Sequence, residues 1–456
     1  MAQGGKYPLY IIRSEVSVPQ MKWQWCLDGL RAVPASLVIA CITIAAAFVI
    51  IPSRSFEMIT RAIAYLRLIK LADIIWRRPV LLLMIASAIC GVLIVDPKKN
   101  VLFADGLRLA ETLRYGLAPA EVATSGLFWL VHWGLQVSGF SNSMETAIRI
   151  VSCLCGGMYA VGVSLWARGL QKLLELKTPA TLLVTFGGLI SGACVMFFGY
   201  VETTQVVAAL IAILFGVLTQ FSAASEERDR EHFFRWIIAI VGFAVCAHTG
   251  AVSLLPMLVI LILYAKRYGF HRVAIYVVLL CVSPIILVLA PFYARGEFGN
   301  VAGGGDGIMF VPFVHVAPAW PRTDHMVYYS MFSLPHLIDL ANAIMLTSPL
   351  AVFSILTAAF WYRKTYFLPK RITELLMCAI AATLGCGSVV AFWNFDFGMW
   401  GDWNICTAYL LPLHFCAWTI IAVWLAVSRN CRLFSCIAGN ISCQFIAMLG
   451  LAYQLW

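Results

Sequence analysis

Residues 405–427 read ICTAYLLPLHFCAWTIIAVWLAV, a run without a single Asp, Glu, Lys or Arg. A helix needs about 20 apolar residues to cross a bilayer, so this stretch predicts a transmembrane helix. Two shorter and more amphipathic segments, 125–140 and 334–346, predict helices that lie in the interface or dip into it. The full set of candidate spans is 34–52, 79–95, 147–167, 180–199, 201–221, 235–247, 251–265, 273–292, 348–362, 373–393, 405–427 and 433–455.

The composition agrees with many such spans. The chain has 456 residues, of which 62% are hydrophobic and 12% are charged, whereas soluble domains carry about 25% charged residues. These values exclude a soluble enzyme, a disordered chain and a nucleic-acid-binding domain. The 15 cysteines form no CxxC pair, and those in apolar runs are expected to be structural thiols. The predicted class is an all-α polytopic integral membrane protein with about 11–13 transmembrane helices and interfacial helices in its outer loops.

Three regions are expected along the chain. Residues 1–78 form an N-terminal segment with one apolar helix and a basic amphipathic stretch. Residues 79–427 form the transmembrane core, and 428–456 form a C-terminal transmembrane helix. The orientation of residues 1–78 in the membrane is the least constrained. Their basic N-terminus would lie outside the cell unless the first apolar span forms a hairpin.

The basic residues orient the core. Cytoplasmic loops of membrane proteins are enriched in Lys and Arg, which accounts for the net charge of +10 without a nucleic-acid partner. If 125–140 does not cross completely, most of the basic clusters fall on one side of the membrane. Every other notable polar segment then faces the outside: 96–124, 199–204, 246–253, 293–347 and 394–404.

Several outer residues are candidates for chemistry, each with a simpler structural interpretation. Asp105 follows a span and could act as a general base in a partly desolvated site, or cap an interfacial helix. Glu202 lies next to hydrocarbon, where a carboxylate needs a partner or a water-filled cavity, or it caps a tight turn. His248 could donate a proton or bind a phosphate when charged, or be satisfied by a backbone carbonyl.

The segment 394–404 and the loop before it carry further candidates. Asp396 and Asp402 stand among tryptophans, which anchor helices at headgroup level. Together these residues could bind a sugar by stacking and hydrogen bonds, or hold a divalent cation. Arg322 lies on the long loop 293–332 and could pair with a lipid phosphate. That loop is either a lid over a substrate or merely mobile.

Taken in order, these pieces resemble a known family. The first outer loop, ADGLRLAETLRYG at 104–116, and the helix AIRIVSCLCGGMYAVGVSLWARGL at 147–170 resemble GT-C glycosyltransferases, which take sugars from polyprenyl-phosphate donors. Four later motifs resemble a poorly characterised prokaryotic branch of that superfamily, in the same order. They are FFGYVETT at 197–204, AHTGAVSLLP at 247–256, HLIDLANAIMLTSP at 336–349 and FDFGMWGDWN at 395–404.

The resemblance implies a hexosyl- or pentosyltransferase in a bacterial inner membrane, with its site facing outside. It implies that Asp105 is the catalytic base and that the acceptor is a glycan, a lipid or a protein. Membrane lipids are the remaining partners, and no cofactor is implied except a divalent cation that stays open. The matching substrate-binding or structural positions are Glu202, His248, His336, Asp339, Asn342, Asp396 and Asp402. Arg108, Arg322 or His248 could meet the donor phosphate, a role expected from their charge and not from the resemblance.

Two departures keep alternatives open. Asn404 stands where the branch usually has an acidic residue, and Asp105 stands alone where many members carry two acids. The chain is therefore either an inverting glycosyltransferase or a non-catalytic assembly partner with the same fold. A transporter or flippase of a lipid-linked glycan is the third hypothesis, and it would place Glu202 and His248 near the bilayer centre on an open path.

Overall fold

A computed structural model gives the arrangement of most of the core. Within the part of the chain it describes, the backbone is helical apart from turns and one isolated antiparallel bridge, between Phe310 and Trp393. The described residues are 39, 43, 78–94, 121–140, 144–198, 203–267, 310–311, 313, 330–352, 354, 368–393, 403–428, 437 and 441. The predicted span 273–292 and most of the spans 34–52, 348–362 and 433–455 lie outside them.

The described helices form one bundle. Four of them, Met144–Leu174, Thr204–Ala223, Lys370–Phe392 and Ile405–Val427, are long and apolar enough to cross a membrane, so the chain is an all-α polytopic integral membrane protein. The ten α-helices in these ranges are α1 Pro79–Ile94, α2 Val122–Val137, α3 Met144–Leu174, α4 Thr178–Leu189, α5 Thr204–Ala223, α6 Glu227–Ala247, α7 Leu255–Arg267, α8 Leu334–Thr347, α9 Lys370–Phe392 and α10 Trp403–Ser428. Two 3₁₀ helices, Gly192–Phe198 and Thr249–Leu254, complete the bundle in the same ranges.

The predicted span 180–199 is wrong as a single helix. Helix α4 ends at Leu189, and the chain turns at Ile190 before the first 3₁₀ helix begins at Gly192. Gly192 permits this turn because a Cβ there would lie 2.7 Å from the Leu346 carbonyl oxygen. The freed backbone finds other partners, since the carbonyl of Gly188 accepts a 2.8 Å hydrogen bond from the Tyr159 hydroxyl. Because the helix breaks here, the chain can turn and begin α5 at the end of the bundle.

Helices α3 and α5 approach each other backbone to backbone. A Cβ on Gly162 would lie 2.4 Å from the carbonyl carbon of Ala212, and one on Gly216 would lie 2.7 Å from the Gly162 carbonyl oxygen. Gly169 likewise abuts Thr219. The two helices therefore run in the same direction. Small residues allow such close packing between membrane helices, where van der Waals contact replaces the hydrophobic effect as the driving force.

Aromatic side chains join α10 to this pair. The ring of Phe415 stacks on Phe215 with centroids 5.1 Å apart and meets Trp166 edge-on at 5.2 Å. The Trp166 indole N–H donates to the Thr419 hydroxyl over 3.3 Å. These buried contacts hold the middle of α10 against α3 and α5.

The bundle has two chemically different ends. At the basic edge, α3 and α5 end while α4 and α6 begin, and the Arg230 guanidinium lies 5.6 Å from the centre of the Phe221 ring. At the opposite end, which we call the polar edge, α5 and α10 begin and the two 3₁₀ helices lie. The basic edge carries Arg168, Lys172, Lys177, Arg228 and Arg230.

The separation between the edges follows from helix geometry. Thr203 lies 18 residues before Phe221 along α5, and His248 lies 18 residues after Arg230 along α6 (221 − 203 and 248 − 230). At about 1.5 Å per residue this is about 27 Å, close to the hydrocarbon thickness of about 30 Å. The polar edge is thus one membrane thickness from the Arg230–Phe221 contact.

Candidate functional site

Four polar side chains from distant parts of the sequence meet at the polar edge. Glu121 precedes α2, Thr203 precedes α5, His248 separates α6 from the second 3₁₀ helix, and Tyr409 lies in the first half of α10. We call these four residues the polar cluster. Its members come from four segments that the sequence places up to 288 residues apart (409 − 121), so their meeting depends on the fold.

The carboxylate of Glu121 links the starts of two helices. The Thr203 hydroxyl donates a hydrogen bond to Glu121 Oε1 over 2.5 Å. One turn into α2, the Thr124 hydroxyl donates to the carbonyl of Ala247 over 2.9 Å, which satisfies a carbonyl of the last turn of α6. These two bonds fix the start of α2 against both α5 and α6.

The imidazole of His248 has a defined tautomer. The backbone N–H of Gly250 donates to His248 Nδ1 over 3.1 Å, and the Tyr409 hydroxyl oxygen lies 2.6 Å from the same nitrogen. Because a backbone N–H can only donate, Nδ1 is the acceptor and the ring proton sits on Nε2. Nε2 in turn faces Glu121 Oε1 at 3.6 Å, slightly beyond hydrogen-bond length.

His248 is neutral in this arrangement. Burial lowers the pKa of His248 from 6.5 to about 4, because desolvation disfavours the charged ring. The Glu121 carboxylate, 3.6 Å from Nε2, favours the charged ring, but desolvation outweighs it. Protonating Nδ1 would also sacrifice the bonds from Gly250 and Tyr409, so burial prevails. Phosphate binding by His248 would require the protonated ring, and that role stays a prediction.

Glycine at position 250 is required by close approach. A Cβ at this position would lie 2.5 Å from the Tyr409 hydroxyl oxygen and 3.1 Å from His248 Nδ1. The short sequence His248-Thr249-Gly250 therefore supplies the ring, the turn into the 3₁₀ helix and the space for the phenol.

The polar cluster is mostly buried but still reaches the surface. Tyr409 is 1% exposed and Thr203 8%, whereas the side chains of Glu121 and His248 are 18% and 19% exposed. Partial exposure admits a ligand, and partial burial strengthens each hydrogen bond that the ligand makes. The cluster can present a carboxylate acceptor and an imidazole N–H donor side by side.

Three of the residues predicted from the HLIDLANAIMLTSP motif lie on α8. His336 is 1% exposed, and its Nδ1 lies 2.7 Å from the Met331 carbonyl oxygen, so Nδ1 is the donor. The Asn342 amide donates to the Ile338 carbonyl within the helix over 2.9 Å, while Asp339 is half-buried. Helix α8 packs against α10 and the first 3₁₀ helix. These hydrogen bonds of His336 and Asn342 stabilise α8 itself and the turn that leads into it.

Part of the long outer loop contacts the end of α9. The backbone N–H of Val311 donates to the Phe392 carbonyl over 2.8 Å, and the rings of Phe310 and Trp393 meet edge-on at 6.1 Å. This contact places part of the 293–332 loop at the point where the chain enters 394–404. The remaining predicted site residues lie outside the described residues: Asp105, Arg108, Glu202, Arg322, Asp396 and Asp402.

Sequence reasoning identified His248 but missed the other three members of the polar cluster. Glu121 was part of the outer segment 96–124 and Thr203 was part of FFGYVETT, yet neither was singled out. The signal for Glu121 was its position directly before an amphipathic helix that begins with Val122. Tyr409 carried no signal, since it stands within an apolar run.

The described residues hold no group of three or more His, Cys, Asp or Glu side chains arranged to bind a metal ion. Glu121 and His248 supply two such groups, fewer than the three or four protein ligands of a typical zinc site. The expectation of a divalent cation rests on Asp396 and Asp402, which lie outside this part of the chain.

Comparisons with known proteins find similarity in structure alone. No family model matches the chain, and no curated protein matches it in sequence. ArnT from Cupriavidus metallidurans in the apo state aligns with a TM-score of 0.48 and 13% identity, covering 82% of this chain and 76% of that one. The crystal structure of the same protein bound to undecaprenyl phosphate aligns with a TM-score of 0.43 and 14% identity, covering 82% and 77%.

Proposed function

We propose that this protein is an inverting membrane glycosyltransferase. It moves a sugar from a polyprenyl-phosphate donor to an acceptor at the outer face of a bacterial inner membrane. The acceptor is a glycan, a lipid or a protein. The polyprenyl chain of the donor lies within the membrane beside the outer loops.

The polar cluster is the observation that carries this proposal. FFGYVETT contributes Thr203, AHTGAVSLLP contributes His248, and Tyr409 follows FDFGMWGDWN by five residues (409 − 404). Two motifs with a family resemblance, and a residue five positions after a third, are thus joined by contacts of 2.5 to 3.6 Å that also include Glu121. Unrelated boundary residues have no reason to converge in this way, whereas the parts of one site do.

Asp105 acts as general base in this proposal. Its carboxylate takes the proton from the acceptor hydroxyl as that oxygen attacks the anomeric carbon of the donor sugar. The new glycosidic bond forms while the bond to the phosphate oxygen breaks, and polyprenyl phosphate leaves with the electron pair. Phosphate is a fair leaving group, so positioning and charge stabilisation supply much of the rate.

The other predicted residues bind the substrates. Arg108 and Arg322 meet the donor phosphate, since guanidinium groups bind phosphate oxygens with two parallel hydrogen bonds. Glu202, Asp396 and Asp402 bind sugar or acceptor hydroxyls, or a cation. His336, Asp339 and Asn342 shape the part of the site that α8 borders.

The position of His248 favours an enzyme over a transporter. A transporter site is expected near the bilayer midplane, between broken helices. His248 lies at the polar edge, about 27 Å along α6 from Arg230, rather than halfway along the helix. Glu202, the other residue on which this distinction depends, lies outside the described residues.

Product formation tests the proposal directly. Purified protein in lipid is incubated with a panel of polyprenyl-phosphate monosaccharides, and sugar transfer and donor hydrolysis are both measured. We expect turnover by the wild type and loss of at least about a hundredfold in Asp105→Asn, since a general base contributes about 10²–10⁴-fold. Asp229→Asn is the matched control, because Asp229 is exposed near the basic edge.

Each outcome distinguishes the hypotheses. Full activity in Asp105→Asn would move the base to another carboxylate, Glu202 or Asp402. If no donor is turned over, and Asp105→Asn binds the donors as the wild type does, the glycosyltransferase hypothesis is wrong. The transporter and assembly-partner hypotheses then remain.

A further inference from the structure

We propose that His414 and Trp418 bind one water molecule in the interior of the membrane, at the end of α4. The water accepts a hydrogen bond from the indole N–H of Trp418 and donates one to Nδ1 of His414. This site is separate from the polar cluster, and the inference does not depend on the proposed glycosyltransferase function.

Helix α4 ends about halfway across the membrane. It begins at the basic edge, and its last residue, Leu189, lies 11 positions after its first, Thr178 (189 − 178). At about 1.5 Å per residue this is about 17 Å, whereas the hydrocarbon layer is about 30 Å thick. From the polar edge, His414 lies 11 positions after Trp403, where α10 begins (414 − 403). The two helices therefore meet at a depth that is remote from both edges.

The carbonyl groups in the last turn of α4 have no partners within that helix, and lipid offers them none. One backbone N–H and three side chains from other parts of the bundle bond to them instead. The bonds run from Ile190 N–H to Phe186, from His414 Nε2–H to Gly187, from the Tyr159 hydroxyl to Gly188 and from the Cys194 thiol to Leu189. Hydrogen bonding is thus satisfied on the side of α4.

The bond to Gly187 fixes the tautomer of His414. The carbonyl oxygen of Gly187 lies 3.1 Å from Nε2, and because a carbonyl can only accept, the ring proton is on Nε2. A second proton on Nδ1 would place an unpaired charge in the membrane interior, so the ring is neutral and Nδ1 is an acceptor. His414 is fully buried, and its Nδ1 has no hydrogen-bond partner among the described residues.

The indole of Trp418 presents the complementary group one helical turn away. The two rings meet edge-on, with centroids 6.5 Å apart and an angle of 65° between their planes. Trp418 is fully buried too, and its Nε1–H, which can only donate, likewise has no partner within the described part of the chain. Nearly all buried polar groups in proteins are hydrogen-bonded, so a donor and an acceptor on one helix face point to a shared ligand.

Water fits this donor and this acceptor. It can accept from one and donate to the other, and two bonds of about 2.9 Å let it bridge nitrogens up to about 5 Å apart. Close packing excludes a larger molecule, since even a Cβ on Gly187 would lie 2.2 Å from the Trp418 ring. A cation is disfavoured, because the Trp418 N–H would point its positive end at the ion. Buried waters typically serve polar groups that would otherwise be unsatisfied.

Solid-state NMR of the full-length protein in lipid tests for this water. The histidine and tryptophan side chains are labelled with ¹⁵N, and transfer of magnetisation from water protons to each indole N–H is measured. Trp166 is the matched control, because its indole is equally buried but donates to the Thr419 hydroxyl. The two signals are assigned by their loss in Trp418→Phe and Trp166→Phe. We expect a water cross-peak for Trp418 and none for Trp166.

The imidazole of His414 gives a second readout. Trp418→Phe removes the donor that holds the water, so the ¹⁵N signal of His414 Nδ1 should shift toward that of a nitrogen without a hydrogen bond. The His414 signals are assigned by their loss in His414→Gln. If Trp418→Phe does not fold, a high-resolution structure of the wild type decides instead, by density for a water within hydrogen-bond distance of both nitrogens.

Four results would overturn the proposal. A shift of the His414 signal in Trp418→Phe, without a water cross-peak in the wild type, would mean that the two side chains bond directly. A cross-peak without the shift would mean that the water does not reach His414. Equal cross-peaks for Trp418 and Trp166 would reflect general exchange with solvent, and absence of both cross-peak and shift would leave no bound water.

Discussion

The hydroxyl oxygen of Tyr409 lies 2.6 Å from Nδ1 of His248, although the two residues are 161 positions apart. Tyr409 is buried on α10, whose neighbours Phe215 and Trp166 fix its place in the bundle through Phe415. The imidazole therefore takes its orientation from the core packing of α10. Any substitution that shifts α10 should alter the orientation of the His248 ring, even if the substituted residue lies far from the polar edge.

The neutral state of His248 predicts a pH-dependent stability. In the unfolded chain the ring binds a proton near pH 6.5, whereas in the folded protein its pKa is about 4. Between these values the unfolded state binds more protons, so stability is lost as pH falls through this window. The full loss is on the order of 3 kcal/mol. Thermal unfolding in detergent, measured from pH 7 to pH 4, should show the decline.

A histidine variant isolates the contribution of this ring. His248→Asn should flatten the decline in unfolding temperature between pH 6.5 and pH 4, because the titrating group is gone. His232→Asn is the control, since His232 is exposed on α6, and it should retain the wild-type slope. Identical slopes for His248→Asn and the wild type would contradict a buried neutral His248.

Removing the phenol should release the ring. Tyr409→Phe deletes the hydroxyl next to His248 Nδ1 and leaves the Gly250 N–H as its donor. The expected loss is about 1 kcal/mol in the free energy of unfolding, together with a shift in the ¹⁵N signals of His248. Tyr264→Phe on α7 is a control for the general effect of removing a tyrosine hydroxyl. Unchanged ¹⁵N signals in Tyr409→Phe would show that the phenol does not hydrogen-bond to His248 Nδ1.

The helical class and most helix positions could be predicted from the sequence, since apolar length carries that information. The predicted spans 373–393 and 405–427 agree with α9 and α10 to within three residues at either end. Span 180–199 was wrong because hydropathy does not distinguish a continuous helix from one broken at Ile190, when both parts are apolar. The glycines on either side of Ile190 were the signal in the sequence that the helix could break there.

The site was harder to predict than the fold. His248 stood out because a titratable residue between apolar runs is unusual. Glu121 and Tyr409 did not, because each is ordinary where it stands and becomes notable only beside the other residues of the polar cluster. Contacts between residues 82 and 161 positions apart depend on helix packing, which one sequence does not reveal.

The close packing of α3 on α5 predicts a large effect from one methyl group. A Cβ on Gly162 would lie 2.4 Å from backbone carbon of Ala212, and backbone cannot move aside as a side chain can. Gly162→Ala should therefore lower stability by about 1–3 kcal/mol, as overpacking does. Thermal unfolding in detergent measures this loss.

The control for that prediction lies on another membrane-spanning helix. Gly387 on α9 has nothing within 4 Å of the place where a Cβ would stand. Gly387→Ala should be neutral or slightly stabilising, because alanine favours helix more than glycine does. Equal unfolding temperatures for Gly162→Ala and Gly387→Ala would show that α3 and α5 are not in backbone contact.

The proposed orientation predicts which edge a thiol reagent can reach from outside the cell. Ser138 lies at the end of α2 and Glu227 lies at the start of α6, and both residues are exposed. We assign Ser138 to the side of the polar edge and Glu227 to the basic edge. A membrane-impermeant maleimide should label Ser138→Cys in intact cells, and Glu227→Cys only after permeabilisation. The wild type gives the background from native cysteines. Labelling of Glu227→Cys but not of Ser138→Cys in intact cells would show that the protein has the opposite orientation in the membrane. The Lys and Arg residues of the basic edge would then lie outside the cell, against the usual charge bias.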